Sequence, residues 1–285
     1  MPALVDIRRR IRSVKNTQQI TRAMKMVSAA KLRRAQQAMF AARPFARKLL
    51  EVLSSVARRA DPSLHPLLRQ HGESRILLVV ITADKGLCGG FNANITRAAL
   101  GFLEGRREQD LSVGFVGRKG RDFFKRRSFK VHSEHVGIFQ ALKYSFARDL
   151  AQGLIRDFVE GRVDEVHLAY NEFKTVIQQR VVVERLLPIQ RTESPSGLPD
   201  LDYLYEPNPA EIFTALLPKY VEILVWSALL ESAAAEHGAR MAAMDSATNN
   251  AEDMIERLTL FMNKVRQAAI TKEIIEVVSG AGSPV

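Results

Sequence analysis

A glycine-rich loop after a continuous apolar run is the segment whose residue types best suit the binding of a phosphate. The run Ile76–Ile81 predicts a buried parallel strand, and the loop Asp84–Asn92 after it contains three glycines before a helical pattern begins. Backbone N–H groups at the start of a helix attract anions, so this loop could hold a nucleotide. Its spacing matches neither GxxxxGK[ST] nor GxGxxG. A tight turn capped by Asn92 or Asn94 explains the same residues and is the favoured interpretation.

The other reactive side chains do not form a complete catalytic set. His132 and His135 could bind a metal, but no third ligand cluster accompanies them, which favours solvated histidines in a loop or edge strand. Cys88 is the only cysteine, which excludes an internal disulfide, and no nearby histidine is available to activate its thiol. His237 lies in a heptad pattern, where a register-setting residue is favoured over a ligand. We therefore predict no catalytic residue, no cofactor and no metal site.

The positive charge is concentrated at one end of the chain. The net charge is +11, residues 1–60 have a balance of +13, and residues 211–285 have a balance of −4. A basic helix implies an anionic partner, such as nucleic acid, a membrane surface or another protein segment. Only two aromatic residues, Phe40 and Phe45, occur in the first 60, so stacking platforms for nucleic-acid bases are missing. The acidic C-terminal segment offers a partner within the chain.

Two long helical segments must position these residues. From Ala3 to Arg43 there is neither proline nor glycine, and the residues are strong helix formers. We expect Pro44 to break or kink this helix, which resumes to about Arg59. The apolar seam is irregular, because polar residues interrupt it. Its members are Ile7, Ile11, Val14, Ile20, Met24, Val27, Leu32, Ala35 and Met39.

The C-terminal segment has a more regular pattern. Steps of four and three residues in alternation give a heptad seam at Leu230, Ala234, His237, Met241, Met244, Thr248, Ala251, Ile255, Leu258, Met262, Val265 and Ala269. The predicted helix, Lys219–Val278, would be about 90 Å long and needs a partner helix alongside. We expect the acidic C-terminal helix to pair antiparallel with the basic N-terminal helix.

Between the two helices, strand and helix patterns alternate. The predicted strands are Ile76–Ile81, Leu111–Val116, Val163–Tyr170 and Thr175–Leu187, and the predicted helices are Asn94–Leu103, Asp122–Arg126 and Tyr144–Val159. This alternation predicts a small α/β, Rossmann-like domain with a mainly parallel sheet. We therefore predict an α+α/β protein: an N-terminal helix in residues 1–60, an inserted α/β domain and linker in 61–208, and a C-terminal helix in 209–285.

Both ends of the chain resemble one known family. The segment Ile7–Gln36, IRRRIRSVKNTQQITRAMKMVSAAKLRRAQ, closely resembles the N-terminal helix of the γ subunit of F-type ATP synthases. The segment Ile270–Ser283, ITKEIIEVVSGAGS, is similar to that family's C-terminal signature. ITADKGLCGGFN (Ile81–Asn92) and YLYEP (Tyr203–Pro207) also match in character. The resemblance covers essentially the whole chain.

This resemblance implies a non-catalytic rotor subunit. In the family, the terminal helices form an antiparallel coiled coil inside a hexamer of α and β subunits. The α/β domain lies at the foot of this shaft, beside the ε subunit and above the membrane ring of c subunits. Proton flow, or sodium-ion flow in some members, turns the ring, and the asymmetric shaft drives the catalytic subunits through their conformations. No cofactor and no nucleic acid are implied.

The resemblance also implies which residues contact other subunits. Met24 and Lys25 would face the catalytic subunits near the middle of the shaft, although some relatives carry an acid in place of Lys25. Tyr205 and Glu206 would face the c ring. Loops of the catalytic subunits would contact Arg266, Gln267, Thr271, Glu273 and Glu276. An apolar sleeve near the tip would hold Ile274, Ile275, Val277 and Val278.

The expected location is peripheral, at the cytoplasmic face of a bacterial plasma membrane, through the c ring. The start MPALVDIRRR lacks the apolar stretch of a secretory signal, and the absence of a presequence favours a bacterial protein over an organellar precursor. One cysteine cannot supply the pair of the redox-regulated plastid form. Two alternatives from other classes stay open: a free nucleotide-binding α/β protein with helical arms, and a basic coiled-coil binder of nucleic acid.

Overall fold

Two long helices and an inserted five-stranded sheet make up the chain. The structure, a computed structural model, describes residues 2–57, 65–72, 74–176, 178–189 and 209–281. The chain divides into two compact units, one formed by Met1–Ser28 with Met241–Val285 and the other by Ala29–Arg240. The long helices belong to both units: α1 is Pro2–Ala57 and α5 is Pro209–Ala281.

Of the predicted break or kink at Pro44, the break is wrong, because α1 continues through Pro44 to Ala57. A proline inside a helix removes the N–H group that would bond the carbonyl four residues earlier, here that of Phe40. Both residues are exposed, so water can bind the freed carbonyl at the helix surface. The break is avoided because this face of the helix is open to solvent.

α5 begins ten residues before the predicted Lys219 and contains Pro218 in its interior. Pro218 frees the carbonyl of Thr214, four residues earlier. His65 forms a hydrogen bond with the Thr214 backbone, and its other ring nitrogen, Nδ1, accepts one from the N–H of Leu67 at 3.2 Å. A side chain from outside the helix thus compensates for the proline, which the local sequence does not reveal.

The sheet is mainly parallel, as predicted. Its strands are β1 (Arg75–Ile81), β2 (Asp110–Val116), β3 (Lys130–His135), β4 (Glu165–Phe173) and β5 (Gln179–Leu187), in the order β3-β2-β1-β4-β5. Only β5 runs antiparallel to its neighbour, β4. The predicted strand from Thr175 starts four residues later, because Thr175 and Gln178 close a turn through two hydrogen bonds of 3.0 Å.

Three shorter helices cover the sheet: α2 (Phe91–Glu104), α3 (Arg118–Phe124) and α4 (Tyr144–Val159). The apolar side chains on one face of the sheet pack against α2 and α3, and those on the other pack against α4 and parts of the long helices.

α3 begins at Arg118, four residues before the predicted Asp122, and ends at Phe124. The chain passes so close to β1 here that a Cβ atom on Gly117 (φ 98°) would lie 2.0 Å from the carbonyl oxygen of Thr82. The Thr82 hydroxyl then accepts a hydrogen bond from the Gly120 N–H at 2.8 Å, which holds the first turn of α3 against the strand end.

Candidate functional site

In the unit formed by the two chain ends, α1 and α5 run antiparallel and contact each other through polar groups. The hydroxyl groups of Thr21 and Thr248 are 2.8 Å apart, and Lys25 Nζ lies 2.5 Å from Asp245 Oδ1. Numbers rise along one helix as they fall along the other, so the predicted antiparallel pairing of a basic and an acidic helix is confirmed.

The seam on α1 differs from the predicted one. Ile20 and Val27 are 60% and 57% exposed, so they do not belong to it. The buried and half-buried positions recur every three or four residues, with Met24 and Lys25 adjacent to each other. In this unit they are Leu4, Ile7, Ile11, Val14, Gln18, Thr21, Met24, Lys25 and Ser28, so the predicted member Met24 is retained. The seam is therefore polar in its middle: Thr21 and Lys25 have partners on α5, whereas the Ser28 hydroxyl donates a hydrogen bond to the Met24 carbonyl of α1 at 2.8 Å.

The seam on α5 is confirmed in this unit. Its predicted members are all buried or half-buried: Met241, Met244, Thr248, Ala251, Ile255, Leu258, Met262, Val265 and Ala269. The register of the Thr21–Thr248 and Lys25–Asp245 contacts brings Pro2, the first described residue of α1, level with about residue 267 of α5. The segment Thr271–Ser279 therefore continues past α1, and all of it is exposed.

In the other unit, the loop Asp84–Asn92 receives a side chain from α5. Arg240 donates hydrogen bonds from Nε and Nη2 to the Gly86 carbonyl, both at 3.3 Å, and its Nη2 lies 2.8 Å from Glu236 Oε1. Asn92 accepts a hydrogen bond from the Ala83 N–H at 3.0 Å rather than capping α2, which begins after Gly90 without a side-chain cap. The predicted cap is wrong, but the loop is a tight turn that presents a carbonyl oxygen to a cation.

Electrostatics around this loop disfavour catalysis. Burial raises the pKa of the Cys88 thiol, so it stays protonated at neutral pH. Burial and the charges of Arg240 and Lys31 lower the pKa of His237 to about 4, so its ring is neutral. Burial also raises the pKa of Glu236, which Arg240 opposes. These groups form a packed joint between α5 and the loop, without an activated nucleophile.

His132 and His135 lie on β3, at one edge of the sheet, which is the second of the two predicted settings, a loop or an edge strand. His132 is not simply solvated, because its Nε2 atom lies 2.9 Å from Asp157 Oδ2 on α4. His135 packs against Phe146, with ring centroids 5.3 Å apart, and burial lowers its pKa. Within the described ranges, no group of three or more His, Cys, Asp or Glu residues is arranged to hold a metal ion.

Comparison with known proteins decides the family. The sequence model of the ATP synthase family matches residues 3–283. The ATP synthase gamma chain of Solibacter usitatus is 53% identical over 287 residues, and that of Pelotomaculum thermopropionicum is 48% identical over 285 residues, with 99% of each chain covered in both cases. The chain belongs to the ATP synthase gamma chain family. This membership confirms the resemblance seen at both ends of the chain. Homologues of this name are non-catalytic subunits of the complex.

Solved structures agree with this assignment. A chain from the central stalk and c ring of the Tetrahymena thermophila mitochondrial ATP synthase is 29% identical with a TM-score of 0.60, covering 80% of this chain and 99% of that one. A chain from the Euglena gracilis mitochondrial enzyme is 18% identical with a TM-score of 0.69, covering 100% of this chain and 97% of that one, and shows the same fold. The predicted combination of long terminal helices and an α/β domain is thus confirmed.

The gamma-chain contact residues predicted from the family lie in different surroundings. Met24 is half-buried beside Lys25, whose charge is shared with Asp245. Tyr205 and Glu206 lie outside the described residues. The predicted contacts on α5 are all exposed: Arg266, Gln267, Thr271, Glu273 and Glu276. The apolar residues of the tip are between 58% and 71% exposed: Ile274, Ile275, Val277 and Val278.

Sequence reasoning missed two buried carboxylates that anchor α5 in the unit containing the sheet. Glu231 accepts hydrogen bonds from Arg43 Nη2 and from the Phe173 N–H, both at 2.9 Å. Glu222 accepts one from the Tyr144 hydroxyl at 2.8 Å and lies 2.9 Å from Lys219 Nζ. The available signal was that these acids occur in a segment whose other residues are almost all apolar, so that every face of the helix must be covered.

Proposed function

We propose that this chain is the central rotor shaft of a bacterial, proton-translocating F-type ATP synthase. It would couple rotation of the membrane c ring to ATP synthesis or hydrolysis on the surrounding catalytic subunits, at the cytoplasmic face of the plasma membrane. The observation that carries the proposal is the antiparallel pairing of α1 and α5 through Thr21–Thr248 and Lys25–Asp245, in a chain that matches the family from residue 3 to 283. In the described part of the chain, no helix is both long and apolar enough to cross a bilayer.

The exposed end of α5 supports this role because it is asymmetric. A symmetric rod would bias every catalytic site equally and drive no sequence of states. Here a single helix, Thr271–Ser279, continues past α1 and exposes apolar side chains that the described part of the chain does not cover. Exposed apolar groups of this kind suit a smooth apolar sleeve in a surrounding assembly.

We further propose that other subunits contact the rotor at the family positions. The catalytic subunits would meet Met24, Lys25, Arg266, Gln267, Thr271, Glu273 and Glu276. The c ring would meet Tyr205 and Glu206, and the ε subunit would lie beside the α/β domain. Exposed ion pairs contribute only about 0–1 kcal/mol each, which is weak enough for such contacts to exchange as the rotor turns. We also propose that the chain divides into an N-terminal helix in residues 1–60, an inserted α/β domain and linker in 61–208, and a C-terminal helix in 209–285.

Reconstitution tests the proposal. The purified chain is mixed with the α and β subunits of a bacterial ATP synthase, and complex formation is followed by size exclusion together with steady-state ATP hydrolysis. We expect a stoichiometric complex whose hydrolysis depends on this chain. Failure to associate at any salt concentration, with nucleotide binding by the chain alone, would favour the free α/β protein. Steeply salt-dependent binding to DNA or RNA would favour the nucleic-acid binder.

A truncation sharpens the test. Removing Glu273–Val285 deletes the exposed apolar tip but leaves the described α1–α5 seam intact, since the last seam residue is Ala269. We expect the truncated chain to assemble and to support less torque, measured as proton-driven ATP synthesis in the membrane-bound complex. Full coupled synthesis by the truncated chain would contradict the proposed role of the tip.

A further inference from the structure

A polar cleft of about 400 Å³ lies at the amino ends of β1 and β4, away from the joint between α5 and the loop Asp84–Asn92. Its walls come from β1, β4, β5 and the end of α2, on the face of the sheet that α2 covers. The polar side chains that line it are Arg106, Gln109, Glu165, His167 and Arg185. These residues come from three separate stretches of the sequence, and none of them is a predicted contact residue of the rotor.

The cleft carries more positive than negative charge. Glu165 is the one acid that lines it, and its two carboxylate oxygens are engaged by Arg185 Nη1 at 3.2 Å and His167 Nε2 at 2.7 Å. In the ranges that the structure describes, the positive charge of Arg106 is therefore not balanced by an acid that lines the cleft. Both arginines act on His167, since each adds to the effect of burial in lowering its pKa. An anion in the cleft would therefore meet two guanidinium groups and one carboxylate that is already engaged.

Arg106 is held in place for such a ligand. Its guanidinium carbon lies 3.9 Å from the centroid of the Phe102 ring, and Nη1 donates a hydrogen bond to the Phe102 carbonyl at 3.4 Å. Stacking on an aromatic ring fixes the plane of the guanidinium while leaving its edge donors available. Among the described residues, no carboxylate forms an ion pair with Arg106. A planar guanidinium group of this kind can donate two parallel hydrogen bonds to the oxygens of a phosphate or a carboxylate.

Gln109 contributes an acceptor atom that lacks a hydrogen-bond donor among the described residues. Its Oε1 atom is buried and has no hydrogen-bond partner in the described part of the chain. A buried carbonyl oxygen without a donor is unfavourable, so a ligand that brings an O–H group would be stabilised beside it. Hydrogen phosphate carries such a group, whereas sulfate, which has the same tetrahedral shape, carries none.

We propose that this cleft binds a phosphoryl group, either as free phosphate or as the phosphate of a larger molecule such as a lipid headgroup. Arg106 and Arg185 donate hydrogen bonds to its oxygens, and Gln109 Oε1 accepts a hydrogen bond from its hydroxyl group. The proposal does not depend on the rotor role, because none of the residues involved is among the predicted contact residues.

The test is a titration of the full chain with inorganic phosphate, followed by NMR of histidine side chains labelled with ¹⁵N and assigned with His167→Gln. A bound dianion stabilises a protonated ring, so we expect phosphate to raise the pKa of His167 in a saturable manner. The NMR signals of the His132 ring should not change. Arg106→Gln should weaken binding at least about tenfold. Arg107→Gln is the matched control, because Arg107 is the next residue, is 75% exposed and pairs with Glu104.

Further arms identify the ligand. Sulfate should bind at least about tenfold more weakly than phosphate, and Gln109→Leu should remove that preference. Vesicles containing phosphatidylglycerol, compared with phosphatidylcholine alone, test the lipid source. Binding to the anionic vesicles that depends on Arg106, without binding of free phosphate, would assign the phosphoryl group to a lipid and support the proposal.

The proposal is overturned if wild-type protein binds neither phosphate nor anionic vesicles. It is also overturned if Arg106→Gln binds as well as wild type, or if Arg107→Gln weakens binding equally. Thermal unfolding of each variant checks that the fold is intact, and Gln109→Leu supplies a second variant if Arg106→Gln unfolds. A chain that passes reconstitution but fails here would contradict only the phosphoryl site.

Discussion

Between Glu222 and Arg240, α5 buries all of its acidic and basic side chains, whereas between Met241 and Ala269 it exposes all but Asp245, which is half-buried. The buried groups hold other elements: Glu231 bonds α1 and the end of β4, and Arg240 bonds the loop after β1. The exposed groups leave the helix surface open for partners. One helix therefore uses charge for rigid attachment in one segment and for weak, exchangeable contact in the next.

The largest expected effect comes from removing Glu231. Glu231→Ala leaves the Phe173 N–H buried without an acceptor and Arg43 without its carboxylate. We expect the free energy of unfolding to fall by about 2–4 kcal/mol, measured by urea denaturation of the full chain. Glu252→Ala is the control, because Glu252 is an exposed acid on the same helix and should change stability by less than about 0.5 kcal/mol. Equal effects of the two variants would contradict the contrast between the segments.

Arg240→Ala should have a somewhat smaller effect that depends on pH. The Gly86 carbonyl loses two donors and Glu236 loses its buried partner, which we expect to cost about 2–3 kcal/mol at neutral pH. Because burial already raises the pKa of Glu236, the native state binds more protons than the unfolded state in the interval above the unfolded pKa. Stability therefore falls as pH rises through that interval.

Loss of Arg240 removes the charge that opposes this shift, so the pKa of Glu236 rises further and the interval extends upward. The destabilisation by Arg240→Ala should therefore be greater at pH 7.5 than at pH 5, as measured by urea denaturation at both values. The double variant Glu236→Gln with Arg240→Ala should lose most of this difference. A pH-independent effect of Arg240→Ala would show that Glu236 is not coupled to it.

The sequence predicted the sheet well and the α1 seam poorly, for physical reasons. The strand Arg75–Ile81 is buried on both faces, so its apolar run needs no partner to be recognised. On α1, Ile20 and Val27 are as apolar as true seam residues, yet they are exposed. Thr21 and Lys25 lie in the seam instead, where α5 offers them polar partners. That choice depends on residues more than 200 positions away.

The candidate sites show the same division. The glycines alone predicted the turn Asp84–Asn92. Arg240, which donates hydrogen bonds to its Gly86 carbonyl, comes from a helix that is distant in the sequence. The polar cleft could not be found from spacing, since Arg106 lies in the turn after α2, His167 on β4 and Arg185 on β5. Local patterns predict elements, whereas the partners of buried or half-buried polar groups are set by the topology that brings those elements together.

The smallest expected effect, and the one that best separates internal from external contacts, concerns Lys25 and Asp245. Their side chains are 40% and 47% exposed, so the pair should contribute less than about 1 kcal/mol to stability, and less at high salt. A double-mutant cycle of Lys25→Ala and Asp245→Ala in urea denaturation measures this contribution. A coupling above about 2 kcal/mol would mean that the pair is a rigid attachment like Glu231.

The same two variants then test the proposed contact of Lys25 with a catalytic subunit. If Lys25 served only Asp245, both variants would lower coupled ATP synthesis equally, because each removes the same pair. We expect Lys25→Ala to lower it more than Asp245→Ala, since loss of Asp245 frees the ammonium group for an acid on a neighbouring subunit. Equal losses would assign Lys25 to the shaft alone, and torque would then depend on the exposed contacts of α5.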